Sequence, residues 1–349
     1  MRHKPVILHL VDDTTAGGVM RVVECICGSD VLANSGTHRV HRVTRGRFMI
    51  LPDWADIIVS HTTISWRSLP ALIALRASHP KTPLIHVEHS YTAAFVSHNV
   101  THNGRFSSLL KAAFSLFDRV VAVSHAQANW MTSRKLVSAQ RLTTIQSCVD
   151  LTPFQAINPA SGPVKTFGAI GRLDQQKGFD MLINAFKALP DPSLRLKIFG
   201  TGPEEQALRE TAAGDVRIEF MGFCAAASQP FKDVDAVVMP SRWEAFGLVA
   251  IEARAAGRRL LCSRVDGLMD HASLGTDYFN TYTKTHLAAA MSRLAEQSNG
   301  TSPSSGGINQ LAIFQESWNN LISEFADRAR KASPAFLAKP PHGQRRADG

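Results

Sequence analysis

The sequence predicts an α/β protein built from two parallel-sheet domains, and three observations carry that reading. At 349 residues the chain exceeds a typical single core. Short, mostly apolar runs that end in Gly, Pro, Ser or His alternate with segments of helical period, the pattern of a parallel sheet with crossover helices. That alternation is interrupted by Pro153, Pro159, Gly162 and Pro163 and restarts at Thr166, as it does across an interdomain linker. The expected division is a first domain over 1–152, a linker over 153–164, a second domain over 165–312, a terminal helix over 313–331 and a disordered basic tail over 332–349.

In the first half, residues 5–11 read as a strand, followed by a loop containing Gly17 and Gly18 that opens a helix through Val19, Met20, Val22 and Val23. Residues 55–60 and 83–87 read as buried strands separated by a helix over 68–76. His89 falls just beyond the carboxyl end of the second of these, the edge at which open α/β sheets bind ligands, and His61 stands at a comparable strand end. Residues 117–124 form a further strand, and Ser124 is placed to cap a helix beginning at His125. Residues 141–146 lead out of the domain. In the second half, strands are expected over 166–171, 194–199, 216–220, 234–240 and 259–264, with helices over 179–189 and 204–213. Phe314, Trp318, Leu321, Ile322 and Phe325 recur at helical spacing, so an amphipathic helix is expected from about Gln315 to Arg330 with that stripe in a core. The Ser/Gly-rich stretch 297–308 reads as low-complexity and mobile.

Composition bounds the function. The apolar fraction is 44%, and no run of about 18 apolar residues marks a membrane-spanning helix. The amino-terminal apolar run stops at Asp12 without a small-residue cleavage site and reads as a first strand rather than a signal peptide. Five cysteines, at 25, 27, 148, 224 and 262, have no metal-ligand spacing; an odd count points to a reducing, cytoplasmic compartment and to no metal site. The net charge is +9, and residues 1–150 carry 16 Lys/Arg against 9 Asp/Glu. Arg39, Arg42, Arg45 and Arg47, with His38 and His41, are the densest cluster. It reads as a solvated surface loop, and as a patch it suits an anionic membrane or a pyrophosphate-linked acceptor. No aromatic-and-basic recognition motif accompanies it, which argues against a nucleic-acid partner.

The stretch 234–257 carries the chemistry. An apolar strand ends at Pro240, a loop holds Glu244, and a helix begins near Gly247, contains Glu252 in its second turn and ends at Gly257. Backbone N–H groups of Phe246, Gly247, Leu248 and Val249 lie at the helix start, where the dipole favours an anion, and Gly247 lets a ligand approach the backbone. In one continuous helix the two carboxylates would stand roughly 12 Å apart along the axis, whereas a loop position for Glu244 lets both face one cleft. A carboxylate beside an anion is favourable only when it binds hydroxyls, so a ligand with one anionic centre between two polyols fits, and a nucleotide sugar is such a ligand. The bland alternative makes Glu244 a solvated loop residue and Glu252 a surface residue paired with Arg254, Arg258 or Arg259.

Glu244 and Glu252 in this strand–Pro–loop–Gly–helix setting resemble the E-x7-E signature of retaining family 4 glycosyltransferases, and Gly171, Arg172, Leu173, Lys177 and Gly178 resemble that family's Gly-Arg-Leu…Lys-Gly motif. The resemblance implies a GT-B architecture: two Rossmann-like domains with parallel sheets facing across a cleft, and a C-terminal helix packing back on the first. It implies transfer of a sugar from a UDP-, GDP- or ADP-linked donor to an acceptor hydroxyl of a glycan or lipid-linked substrate, with retention and without metal or other cofactor. On that view Arg172, Lys177 and the N–H groups at 246–249 hold the diphosphate, Glu252 the ribose, Glu244 the donor sugar and Phe223 the base. Gly17 and Gly18 complete the donor site, and His89 orients donor sugar or acceptor. Where the family favours a Pro before the last strand and a Glu near 270, this chain has Arg259 and Asp270. An epimerase or phosphorylase of the same fold, or a catalytically degenerate partner subunit, are the alternatives.

Overall fold

The computed structural model describes residues 4–13, 17–48, 51, 54–297 and 309–332. Its strands are β1 (Val6–Val11), β2 (Thr37–Arg42), β3 (Ile57–Ser60), β4 (Leu84–Glu88), β5 (Arg119–Ala122), β6 (Leu142–Thr144), β7 (Thr166–Ile170), β8 (Arg195–Phe199), β9 (Ile218–Gly222), β10 (Ala236–Met239), β11 (Arg259–Ser263) and β12 (Asp277–Phe279). The helices of the first half are α1 (Gly18–Cys27), α2 (Asp30–Ala33), α3 (Leu69–Ser78), α4 (Ala93–Asn99), α5 (Asn103–Ser115), α6 (His125–Ser133) and α7 (Thr152–Gln155). Those of the second half are α8 (Phe179–Lys187), α9 (Glu205–Ala212), α10 (Gln229–Lys232), α11 (Leu248–Ala255), α12 (Lys284–Glu296) and α13 (Gln310–Ala332).

The strands form two six-stranded sheets, in the orders β2-β1-β3-β4-β5-β6 and β12-β11-β10-β7-β8-β9, with parallel pairing throughout. This is the two-domain α/β, GT-B arrangement the sequence leads one to expect. In each sheet the strand order reverses beside the first strand, between β1 and β3 and between β7 and β10, and the loops leaving those strands are where such sheets bind ligands. Strands β3, β4, β10 and β11 are buried along their whole length, which explains why they read as mostly apolar runs.

Each sheet has an apolar core of its own, exemplified by Leu10, Ile58, Leu72, Leu110 and Phe114 in the first and Phe167, Leu182, Phe186, Ile198 and Leu287 in the second. A third core runs between them: Val22, Ile26 and Val59 continue through Val149 and Phe154 to Phe231, Ala250 and Ile251. Helix α13 packs back on the first domain with Phe314, Trp318, Leu321, Ile322 and Phe325 all buried. Gln315 Nε2 donates to Ser29 Oγ (3.0 Å), and Arg119 Nη2 lies 2.7 Å from Glu324 Oε1.

Ser124 caps α6 as expected, its Oγ accepting from the Gln127 N–H (3.1 Å). The cluster around residues 38–42 is corrected: it is the edge strand β2, not a surface loop. Polar side chains on both faces hid it, because an edge strand needs no apolar alternation when one side of the ladder meets solvent. Helices α4 and α5, strand β12 and helix α12 also lie in stretches where no element was anticipated. The segment 298–308 and the tail from residue 333 fall outside the described residues.

Candidate functional site

The loops leaving β7 and β10 meet at the switch point of the second sheet. Gly178 adopts φ +65° and lies so close to Pro240 that a Cβ there would stand 2.3 Å from the Pro240 carbonyl oxygen, so glycine is required. Behind it, Asp174 caps the turn carrying Lys177, and Arg242 grips Asp180 with two bonds of 2.9 and 2.6 Å while its N–H donates to the Gln176 carbonyl (2.7 Å). The two loops are thereby tied together. Lys177 Nζ sits 2.5 Å from Glu244 Oε2, and Ser241 Oγ approaches the same oxygen at 3.4 Å. Glu244 is largely buried rather than solvated.

Helix α11 begins at Leu248, with Gly247 at φ +92° as its N-cap residue. The Ala250 N–H returns to the Gly247 carbonyl (3.0 Å), so the N–H groups of Leu248 and Val249 are the ones left at the helix entrance. Phe246 stands before the helix: its carbonyl accepts from His271 Nε2 (3.0 Å) and its ring packs on His271 at 4.8 Å. Glu252 is 2% exposed, so the surface-residue alternative is wrong, and its cation is none of the three neighbouring arginines. It is Arg21, on α1 of the first domain, with Nη1 2.6 Å from Oε1 in an alignment that leaves Oε1 without a hydrogen bond. Burial raises the Glu252 pKa, opposed by Arg21 and by Lys177. Lys177 thus acts on both carboxylates.

Arg172 is 70% exposed and lies 3.0 Å from Asp174 Oδ2, beside the cleft loop but not on either glutamate. Gly17 precedes α1, and a Cβ on Gly18 would stand 3.4 Å from Leu248 Cδ1, which brings the glycine pair of the first domain to the entrance of α11. Phe223, after β9, is 64% exposed. His89, after β4, is half-buried and bonds through Nε2 to Nδ1 of His61 (2.9 Å), so the two histidines singled out separately are in contact.

The loop after β11 supplies residues that sequence reasoning did not assign. Asp266 accepts from Thr92 Oγ1 (2.6 Å) and the Ala94 N–H (3.1 Å) at the start of α4. Asp270 accepts from the N–H groups of His125 (2.6 Å) and Ala126 (3.1 Å) at the start of α6, and from Gln146 Nε2 (2.8 Å). Two aspartates of the second domain therefore cap two helices of the first, where carboxylates suit the helix dipoles. The signal was present, since position 270 was noted as a departure from the family pattern. Trp243 adds ring contacts to Phe95 and His98 of α4, at 6.0 and 5.7 Å. Among the described residues no cluster of His, Cys, Asp and Glu is arranged to hold a metal ion.

Two family models divide this chain between them, Glycosyltransferase Family 4 over residues 10–153 and Glycosyl transferases group 1 over residues 164–297. The chain belongs to these glycosyltransferases. This glycosyltransferase is 26% identical over 285 residues to the glycogen synthase of Granulibacter bethesdensis, a match covering 63% of the chain and 58% of that protein. It is 26% identical over 323 residues to the D-inositol 3-phosphate glycosyltransferase of Mycobacterium leprae, covering 83% of the chain and 72% of that protein. The chain spans about half the length of other curated relatives it matches. In fold it resembles Anabaena HepE, solved in complex with UDP and glucose, with a TM-score of 0.63, 16% identity, and coverage of 96% of this chain and 99% of that one. No helix among the described residues is long and apolar enough to cross a membrane.

Proposed function

We propose that the chain transfers a sugar from a nucleotide-sugar donor to an acceptor hydroxyl with retention of configuration, without a metal, in polysaccharide or glycolipid synthesis. The observation that carries this reading is the convergence of Lys177, Glu244 and Glu252 on the entrance of α11 at the switch point of the second sheet. Lys177, Arg172 and the N–H groups of Leu248 and Val249 hold the donor diphosphate and stabilise its departure; Phe246, packed against His271, shapes the turn before them. Glu252 accepts from the ribose hydroxyls, Glu244 from the donor sugar, and exposed Phe223 receives the base. Gly17 and Gly18 close the site from the first domain, and His89 orients the donor sugar or acceptor. The cations now on Glu244 and Glu252 exchange onto the diphosphate when donor enters, so neither carboxylate is left facing an anion alone. UDP bound to a protein of the same fold supports a nucleotide donor, with UDP, GDP and ADP as the bases to compare.

The acceptor is a glycan or lipid-linked hydroxyl, and the basic first domain favours a cytoplasmic location with peripheral contact at an anionic inner-membrane face. The first test is a thermal-shift screen against UDP, GDP, ADP and their common sugars, with Glu252→Ala alongside. Stabilisation by one nucleotide, lost in the variant, is the expected result; equal stabilisation of both proteins would remove Glu252 from the donor site. Release of free sugar or an epimer in the absence of acceptor would instead mark an epimerase or phosphorylase.

A further inference from the structure

The first sheet holds a row of four histidines, of which the proposed chemistry uses only His89. His38 lies on β2, His9 on β1, His61 just after β3 and His89 just after β4, one on each of four adjacent strands. His38 is opposite Ile7, and His9 is opposite Val59, two residues before His61. Val59 is in turn opposite Ile85, so each step across the sheet climbs two residues toward the carboxyl edge. The side-chain period of a strand then puts all four rings on one face, the face covered by α1, α2 and α13. Successive rings stack at 5.2 Å with interplanar angles of 27°, 24° and 28°. His9 Nε2 is 2.9 Å from His38 Nδ1, His9 Nδ1 is 2.9 Å from His61 Nε2, and His61 Nδ1 is 2.9 Å from His89 Nε2. The row therefore runs unbroken from the β2 edge to His89 at the carboxyl edge of the sheet.

A neutral imidazole has one N–H and one bare nitrogen. Three N···N bonds in series between neutral rings allow two complete arrangements: every Nδ1 protonated, or every Nε2 protonated. Any mixture places two N–H groups or two lone pairs face to face in a buried site, at the cost of at least one hydrogen bond. Burial holds the rings neutral, with pKa values of about 3 for His9 and about 4 for His38 and His89, and with His61 well below the usual imidazole value. Besides the rings themselves, the ionisable groups that act on the row among the described residues are His86 and Glu88, both on β4. At the far end His38 Nε2 is buried without a well-formed hydrogen bond, and the Leu32 backbone beside the ring is the group that favours its proton.

We propose that the four rings tautomerise as one unit, which makes His38, His9 and His61 positioning residues that fix which nitrogen of the cleft histidine His89 carries its proton. The functional part of the proposal rests on the glycosyltransferase reading, in which His89 meets a sugar hydroxyl either as donor or as acceptor; the tautomeric coupling itself does not. A hydroxyl can serve either role, but a catalyst that must present the same nitrogen at every turnover needs one of them locked.

The test uses the full chain labelled with 15N-histidine and long-range 1H–15N NMR near neutral pH, which reads the tautomer of each ring directly. The expected spectrum shows one common tautomer for His38, His9, His61 and His89. His38→Leu, at the half-exposed end of the row, removes one ring and one bond, and His9, His61 and His89 keep a single tautomer in common. His61→Leu interrupts the row beside His89, which then becomes a mixture of tautomers while His38 and His9 keep a common one. Turnover with nucleotide sugar falls about tenfold in His61→Leu, with an unchanged KM for donor. A single His89 tautomer in His61→Leu overturns the proposal, as do unlike tautomers among the three remaining rings of His38→Leu and a wild-type row of mixed tautomers. A protein with no transferase activity leaves the NMR result standing, so failure of the functional reading is told apart from failure of the coupling.

Discussion

Arg21 Nη1 and Glu252 Oε1 approach to 2.6 Å across the boundary between the two domains, joining α1 of the first to α11 of the second. Glu252 is almost wholly buried and Arg21 about one-third exposed, so the pair compensates a buried carboxylate from one side only. Removing the cation leaves that carboxylate unpaired. Arg21→Ala is expected to destabilise the protein by on the order of 1–3 kcal/mol in urea, the cost of an unsatisfied buried polar group, and Arg21→Ala with Glu252→Gln to recover part of it. Strict additivity in the double-mutant cycle would show that the two side chains do not interact.

In the proposed reaction Glu244 and Lys177 serve the donor rather than the fold. Glu244→Gln preserves the shape of the loop and removes only the charge, so the melting temperature should stay within a few degrees while turnover drops about a hundredfold. The variant's unaltered turnover would exclude Glu244 from the reaction.

Gly247→Ala forces a side chain into a left-handed backbone and places a Cβ 2.6 Å from Leu268 Cδ2. A loss of about 1–3 kcal/mol is expected, together with loss of the nucleotide-induced thermal shift, because the α11 entrance is displaced. A variant as stable as the parent and equally responsive to nucleotide would place the anion site elsewhere.

Asp266 and Asp270 hold the first domain by its helix starts. Replacing both by Ala is expected to cost about 1 kcal/mol per cap and to raise the protease sensitivity of the 153–164 connection, readable by limited digestion. That connection is otherwise fastened by the Ala160 N–H on the Gly257 carbonyl (3.1 Å) and Arg258 Nη2 on the Asn158 carbonyl (2.9 Å). An unchanged digestion pattern would assign the domain contact to the apolar core alone.

The buried histidines make stability depend on pH in a definite sense. Their folded pKa values lie below the ordinary 6.5, so on acidification the unfolded chain binds protons first. Their contribution is complete above about pH 6.5 and is lost as pH falls toward about 4. Glu252 and Asp266, raised by burial, act in the opposite sense above their ordinary values and reduce the net slope. Denaturation midpoints measured from pH 7 to pH 4.5 should fall, and fall less in His38→Leu. Parallel curves for the two proteins would assign the loss to other groups.

The parts of this molecule that were legible in the sequence are those where a single segment carries its own signal. Strand β10 was visible because burial on both faces demands an unbroken apolar run, β11 from its Leu-Leu-Cys centre, and the stripe on α13 because a core helix repeats every turn. Glu244 and Glu252 were found from their setting around Pro240 and Gly247, residues that declare backbone geometry directly, and Lys177 from its resemblance to a family motif. What escaped notice depends on pairs far apart in the chain. Arg21 meets Glu252 only after both domains have folded, and Asp266 and Asp270 act on helix starts more than a hundred residues away. Strand β2 was hidden for a different reason: its chemistry is that of an edge, and only one of its histidines reaches the interior row.

That row of rings also bears on how the first sheet assembles. Sliding a strand by one residue turns its apolar side chains to the wrong face and is rejected by burial, but sliding it by two keeps every apolar residue on its proper face. Apolar patterning alone does not distinguish such two-residue neighbours. The ring contacts from His38 through His9 and His61 to His89 do, because a shift of two at any of the three junctions breaks an N···N bond of 2.9 Å inside the core. The four strands are thereby given a unique alignment, written in polar contacts that only one packing of the chain can complete.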